Sequence, residues 1–276
     1  LQWLPGGKEL LYGEKNCVYR IDVEADQTKV EKLACFNSPD FQGFRVSPDG
    51  KYAAISIEHR LLVLPFDLDK LSTATSTFEL QSLEDVCLDY SDVAVKGAQW
   101  SDDGKSLAII YQSVIGNRIG DTIRVLEVDL ERCEKVDPLI ADEFPAKQFA
   151  PDGYERYPLL PSYHWDGGQQ FLFNTFKRNA AYGELYLYEA SAGTARKVNP
   201  VAGVCCYGSA ALSPDGTYIM FVFQDVRSGE NSESQLYYVP MNQIGTETKF
   251  IPVKLPLHFF PDLRENILIA LRPSTP

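Results

Sequence analysis

A short turn motif recurs five times along the chain, and each copy lies between two strand-like segments. In every copy an apolar or aromatic residue precedes a polar turn that contains glycine. The copies are Trp3 to Lys8, Val46 to Lys51, Trp100 to Lys105, Trp165 to Gln169 and Leu212 to Thr217. Their closing glycines, at positions 7, 50, 104, 168 and 216, have a spacing that suits repeating units of four short strands.

The composition of the turn has a local chemical cause. In Ser47-Pro48-Asp49-Gly50, proline sets φ at an early corner, aspartate bonds back to the backbone, and glycine takes the positive φ that closes the hairpin. A run rich in β-branched and aromatic residues follows each turn, as in Tyr218 to Phe223. Third strands alternate, as in Leu185 to Tyr188, and fourth strands, such as Lys29 to Leu33, are short with a weak strand pattern. This gradient predicts sheets stacked radially around an axis.

We therefore expect an all-β fold, a β-propeller of four-stranded antiparallel blades that occupies residues 1–276 as a single domain. Five complete blades are predicted at approximately residues 1–40, 41–94, 95–160, 161–206 and 207–254. Residues 255–276 contain a degraded sixth copy of the motif and predict a partial sixth blade. An incomplete blade would leave an open edge that could pair with another chain.

The SPDGK turn, between an aromatic-ended inner strand and an apolar second strand, resembles the TolB-like, WD-related propeller repeats of bacterial proteins. The resemblance covers nearly the whole chain and is to a repeat family. It implies a platform for protein–protein interaction, and often export to the periplasm or cell surface. Two copies depart from the pattern, because the first has Gly6-Gly7 in place of Asp-Gly and the fourth, Asp166-Gly167-Gly168, lacks proline.

The blade topology divides the connections between two faces. The turns that join first and second strands lie at one end of each blade, here called the turn face. The connections from second to third strands and from blade to blade lie at the other end, the loop face. Long segments gather on the loop face, including Gln112 to Asp121, Asn174 to Gly183, Gln224 to Ser234 and a connector, Asp137 to Ser162. Binding is expected on this face.

Arginine and tyrosine side chains in these segments form the candidate binding site, because both residue types are enriched at protein interfaces. They predict a surface for an acidic or extended, peptide-like protein partner. Solvated charges and loop-anchoring aromatics are the alternative interpretation. The candidates are Arg118, Arg178, Arg227, Tyr154, Tyr157 and Tyr182.

No pattern of catalytic residues stands out. His59, His164 and His258 are widely separated, no GxSxG motif occurs, and the inner strands are neutral apart from Arg45 and Lys96. We therefore predict a non-enzyme without catalytic residues, metal or cofactor. Calcium near Asp225 is an alternative, as is a propeller-based enzyme or enzyme accessory domain, either carbohydrate-active or the regulatory propeller of a peptidase.

The charge balance excludes some partners. With 26 basic and 38 acidic residues the net charge is −12, which repels nucleic acids and anionic membrane surfaces. No apolar run is long enough to span a bilayer, so membrane insertion is not expected. The chain starts without methionine or a signal peptide and is expected to be part of a larger bacterial envelope or secreted protein, located in the periplasm, at the cell surface or outside the cell.

Six cysteines occur, and none lies in a CxxC pair. Cys17 and Cys35 could face each other across adjacent strands, although free, buried cysteines are favoured because a core of this size needs no covalent support. The adjacent Cys205 and Cys206 would point to opposite faces of a strand, which indicates two unrelated thiols.

Overall fold

A computed structural model describes residues 1–25, 29–115, 118–135, 137–145, 156–158, 163–165, 170–177, 184–189, 191–197, 207–224, 234–244, 251–256, 259 and 269–273. In this part of the chain the strands form five antiparallel sheets that follow one another in sequence. The all-β propeller architecture predicted from the repeated turns is confirmed.

Four of the sheets have four strands each, in the order of the chain. The first contains β1 (Gln2–Trp3), β2 (Glu9–Glu14), β3 (Cys17–Asp22) and β4 (Lys29–Cys35). The second contains β5 (Phe41–Val46), β6 (Tyr52–Ile57), β7 (Arg60–Pro65) and β8 (Leu88–Tyr90). The third contains β9 (Val95–Trp100), β10 (Ser106–Ile115), β11 (Arg118–Glu127) and β12 (Leu139–Pro145).

The fourth sheet departs from this pattern and has five strands. They are β13 (Arg156–Pro158), β14 (Tyr163–Trp165), β15 (Gln170–Lys177), β16 (Leu185–Glu189) and β17 (Thr194–Lys197). Both β13 and β14 pair with β15, which is long enough to give each of them a separate stretch of backbone. The last sheet is again four-stranded, with β18 (Tyr207–Leu212), β19 (Tyr218–Phe223), β20 (Gln235–Pro240) and β21 (Ile251–Pro252).

The prediction of five complete four-stranded blades with a partial sixth is therefore wrong, since the structure has four blades of that kind. After Pro252 the described residues form no strand. Residues 269–273 instead lie against the first sheet, where Trp3 Nε1 donates to the carbonyl of Ala270 at 2.9 Å and Arg272 Nε donates to that of Gly7 at 2.6 Å. In the same way as Trp3, Trp100 of the third sheet donates its Nε1–H to a backbone carbonyl, that of Arg45 in the second sheet, at 3.0 Å.

The core lies between successive sheets, as radial stacking predicts. Leu11 and Val18 of the first sheet share one buried cluster with Val46 and Ile55 of the second. Further clusters join the second sheet to the third, the third to the fourth and the fourth to the fifth. Each sheet therefore buries apolar side chains on its faces, and the polar edges and turns remain at the two ends.

Three of the motifs confirm the predicted bond from aspartate to the backbone and the positive φ of glycine, and their serine adds two hydrogen bonds that were not predicted. In the third sheet Ser101 Oγ donates to Asp103 Oδ1 at 2.7 Å and accepts the backbone N–H of Ser106 at 2.9 Å. Asp103 Oδ1 also accepts the N–H of Lys105 at 3.0 Å. The motifs that begin at Ser47 and Ser213 repeat these three hydrogen bonds.

Two disulfide bonds correct the expectation of free cysteines. Cys17 and Cys35 are bonded, because β3 and β4 place them directly opposite each other with their Cα atoms 4.0 Å apart. Cys87, just before β8, is bonded to Cys133 in the turn that follows β11, so this bridge ties the outer edge of the second sheet to the third. The predicted thiols Cys205 and Cys206 lie outside the described residues.

Two short helices, for which the sequence analysis made no prediction, connect β7 to β8. They are α1 (Leu68–Thr73), capped by Asp67, and α2 (Thr77–Ser82), capped by Ser76. Leu71 and Leu80 bury these helices against the cluster between the first two sheets. Among the described residues, no helix has the length and apolar character needed to cross a membrane.

Candidate functional site

Only two of the six predicted binding residues lie in the described part of the chain. Arg118 is the first residue of β11, opposite Ile115 of β10, and Tyr157 lies in β13, opposite Phe176 of β15. The other four lie outside the described residues, as does the proposed calcium ligand Asp225. These four are Arg178, Arg227, Tyr154 and Tyr182. The binding role of all six stays a prediction.

Two adjoining pockets open on the loop face beside the connection between β2 and β3. The inner pocket, of about 210 Å³, lies between the first and second sheets. The outer pocket, of about 380 Å³, lies beside the segment that leads from β4 to β5. Lys15 lines both pockets, and we call them together the Lys15 site.

Among the described residues, the charged side chains that line the Lys15 site are basic. Lys15 and Arg45 line the inner pocket together with polar and aromatic groups that include Tyr12 and Gln42. Asn16, Asn37 and Ser38 line the outer pocket. No aspartate or glutamate of the described part of the chain lines either pocket. In a chain with a net charge of −12, this absence sets the site apart.

The base of the site is held by covalent and backbone links. The Cys17–Cys35 disulfide joins the strands that leave it, and the N–H of Phe36 donates to the carbonyl of Asn16 at 2.8 Å. The Asn16 side-chain amide donates to the carbonyl of Phe36 at 2.6 Å, and the Phe36 ring stacks on Phe41 at 4.8 Å. Lys15 itself has a φ of 54°, in the left-handed region that residues with a Cβ adopt uncommonly. The site is therefore preorganised.

Arg45 is the half-buried cation of the inner pocket. Its Nη1 donates to the carbonyl of Phe44 at 3.2 Å, and no carboxylate of the described residues forms an ion pair with it. Burial lowers the pKa of Arg45, although a guanidinium remains protonated at any physiological pH. By contrast Lys96, the other charged residue noted in the inner strands, pairs with Asp121 at 3.1 Å.

A larger groove of about 900 Å³ lies on the turn face between the second and third sheets, and its charge is opposite. Two lysines, Lys51 and Lys105, line it. Seven acidic residues do so as well: Asp49, Asp103, Glu127, Asp129, Glu131, Glu134 and Asp137. The described residues that line the two sites therefore differ in charge, basic at the Lys15 site and mostly acidic at this groove.

Sequence reasoning noted Arg45 but did not assign it to a site, and it missed Lys15. The available signal was that Arg45 is charged within an otherwise neutral inner strand. Lys15 gave no such signal, because an exposed lysine in a hairpin turn is common. His164, another residue considered for chemistry, lies in β14 opposite Phe171. Among the described residues no group of three or more histidine, cysteine, aspartate or glutamate side chains is arranged to hold a metal ion.

Comparisons with known proteins identify the fold but no family. No family model matches the sequence, and no curated protein does. A putative TolB from Agrobacterium tumefaciens has a similar structure, with a TM-score of 0.51 and 18% identity over 83% of this chain and 66% of that one. An oligogalacturonate lyase from Vibrio parahaemolyticus gives a TM-score of 0.52 and 15% identity over 92% of this chain and 65% of that one.

Hydrazine synthase from Kuenenia stuttgartiensis gives a TM-score of 0.52 and 14% identity, over 96% of this chain and 67% of that one. The chain spans about two thirds of the length of these structures. The fold is thus a TolB-like β-propeller. Since the similar structures include enzymes, the fold alone does not decide between binding and catalysis.

Proposed function

We propose that this propeller is a non-enzymatic binding module of an exported bacterial protein, and that its loop face binds an acidic segment of a protein partner. The observation that carries the proposal is the Lys15 site, where Lys15 and Arg45 line one pocket and no described carboxylate lines it. An acidic segment would be attracted to this site and repelled by the acidic groove on the turn face, so the charge distribution would also orient the encounter.

Export is supported by the two disulfide bonds. Disulfides persist in the periplasm, at the cell surface and outside the cell, whereas cytosolic thiols are kept reduced. The Cys17–Cys35 bond lies at the base of the Lys15 site, so an oxidising compartment would also stabilise the candidate binding surface. A periplasmic, surface or secreted location fits this arrangement.

A glutamate-rich peptide and its glutamine counterpart test the proposal, with fluorescence anisotropy measured at low and at physiological salt. The glutamate peptide is expected to bind more tightly, and salt should weaken that binding by screening the charges. Lys15→Gln should weaken it about two- to fivefold, the range that one exposed ion pair provides.

Lys105→Gln is the matched control, because Lys105 is also an exposed lysine in a hairpin turn but lies on the turn face. In this variant the affinity for the glutamate-rich peptide should be unchanged or only slightly reduced. Equal binding of the two peptides, or an equal loss in the two lysine variants, would contradict the proposal.

A further inference from the structure

The inner pocket is small for a ligand site. At about 210 Å³ it is smaller than the roughly 300–1,000 Å³ typical of sites for drug-sized ligands. Its lining comes from β1, β2, β3 and the β2–β3 connection of the first sheet and from β5 of the second. The two sheets are held together where Gln2 exchanges two hydrogen bonds with the backbone of Val46, at 2.6 and 3.0 Å. The pocket therefore lies between two fixed sheets.

Arg45 differs from four arginines of the structure that form ion pairs. Arg20, Arg60, Arg124 and Arg272 each pair with a carboxylate, at 2.5 to 3.1 Å. Arg45 makes one hydrogen bond to a carbonyl at 3.2 Å, whereas a guanidinium has five N–H donors. A cation that is partly removed from water without a counter-ion is costly. The lowered pKa of Arg45 reflects the same desolvation.

The chemistry of the pocket favours a monovalent carboxylate over other anions. A guanidinium fork matches the two oxygens of a carboxylate and binds them with parallel hydrogen bonds. Repulsion by the net charge of −12 increases with the charge of the ligand, which disfavours phosphate and other multivalent anions. Lys15, which is exposed and also lines the pocket, adds a second cation.

We propose that the inner pocket binds one carboxylate group against Arg45. The carboxylate comes either from a side chain or C-terminus of the partner or from a free small acid. The assignment of the carboxylate to the protein partner rests on the proposed function above. The binding of a carboxylate by the pocket does not depend on that proposal.

The test uses sodium acetate, its neutral analogue acetamide, inorganic phosphate and the glutamate-rich peptide, with binding followed by calorimetry and by NMR of the Arg45 side chain. Wild type is compared with Arg45→Met, which removes the charge and keeps a long side chain. The affinity for the carboxylate ligand should fall at least about 30-fold, the cost of removing one partner from a buried charge pair.

Lys96→Met is the control, since it removes an inner-strand cation that already has a partner. It should lower the melting temperature, because Asp121 is left unpaired, and should leave acetate binding intact. Arg45→Met should have an unchanged or higher melting temperature, because a cation without a counter-ion is removed. A folded Arg45→Met protein therefore keeps the binding test interpretable.

Saturable acetate binding that Arg45→Met abolishes would support the pocket with a free acid as ligand. Peptide binding that Arg45→Met abolishes, without acetate binding, would support the pocket with the partner as source. If the peptide binds wild type and Arg45→Met equally and acetate does not bind, the pocket inference is wrong and the proposed function stands. If acetate binds at Arg45 and the peptide does not bind, the pocket inference stands and the proposed function is wrong. Phosphate or acetamide binding as strong as that of acetate would overturn the carboxylate assignment.

Discussion

The serine of the repeated turn should contribute more to stability than its small size suggests. Ser101 is fully buried, and its hydroxyl serves as acceptor for the Ser106 N–H and as donor to Asp103. Ser101→Ala leaves the buried N–H without that acceptor, which costs about 1–3 kcal/mol, and removes a charge-assisted hydrogen bond as well. We expect the free energy of unfolding to fall by about 2–3 kcal/mol.

Urea unfolding followed by tryptophan fluorescence measures this loss, with Ser72→Ala as control. Ser72 is an exposed helix residue whose hydroxyl donates to the carbonyl of Asp69, and its replacement should change stability by less than about 0.5 kcal/mol. If Ser101→Ala were as mild as this control, the hydrogen-bonded turn would not be what stabilises the motif.

The loss in Ser101→Ala should also depend on pH. Burial alone would raise the pKa of Asp103, but the hydrogen bonds from Ser101 and from the N–H of Lys105 outweigh it, and the pKa is lowered from its usual value of 3.8. A carboxyl group whose pKa is lowered by folding stabilises the protein above the unfolded pKa, and this contribution is lost as pH falls through the folded value. The difference between Ser101→Ala and wild type should therefore shrink in strong acid. An unchanged difference at low pH would argue against the carboxylate bond.

Three further perturbations have distinct expected outcomes. Replacing Cys87 and Cys133 by alanine should lower the free energy of unfolding in urea by about 4 kcal/mol, and replacing Cys17 and Cys35 should lower it by about 3 kcal/mol. The first loss is larger because the sequence separations are 46 and 18 residues, and the reverse order would refute this loop-length argument. Gly50→Ala should lower the free energy of unfolding by about 1–2 kcal/mol in the same assay, since φ is +76° and a Cβ would lie 3.1 Å from a carbon of Pro5. Gly43→Ala should be close to neutral because a Cβ there would meet no atom within 4 Å, and equal effects of the two variants would contradict this reasoning. Arg272→Ala should raise the rate of amide hydrogen exchange at residues 269–272 about five- to tenfold with little change in melting temperature, because hydrogen bonds from Arg272 to Gly7 and Glu24 are lost; unchanged exchange would show that Arg272 does not hold the segment.

The sequence predicted what local chemistry determines. The turn at Ser47 to Gly50 and the apolar strand at Tyr52 to Ile57 could be recognised because serine, aspartate, glycine and β-branched residues have the same local preferences in any chain. The division into two faces followed from this topology alone.

Features that depend on distant partners could not be predicted in this way. The pairing of β15 with both β13 and β14 depends on where two segments meet, and no local signal records it. The bond between Cys87 and Cys133 depends on how neighbouring sheets are placed. Lys15 and Arg45 belong to different sheets, so their convergence on one pocket became visible only in three dimensions.

Site-specific photo-crosslinking to the glutamate-rich peptide tests most directly whether the loop face is the binding surface. A photoreactive residue at Gln42, which is exposed beside the inner pocket, is compared with one at Asp102, which is exposed in a turn on the opposite face. The account predicts crosslinks from position 42 that salt and Lys15→Gln reduce, with none above background from position 102. Equal crosslinking from both positions, or crosslinking from position 102 alone, would contradict it.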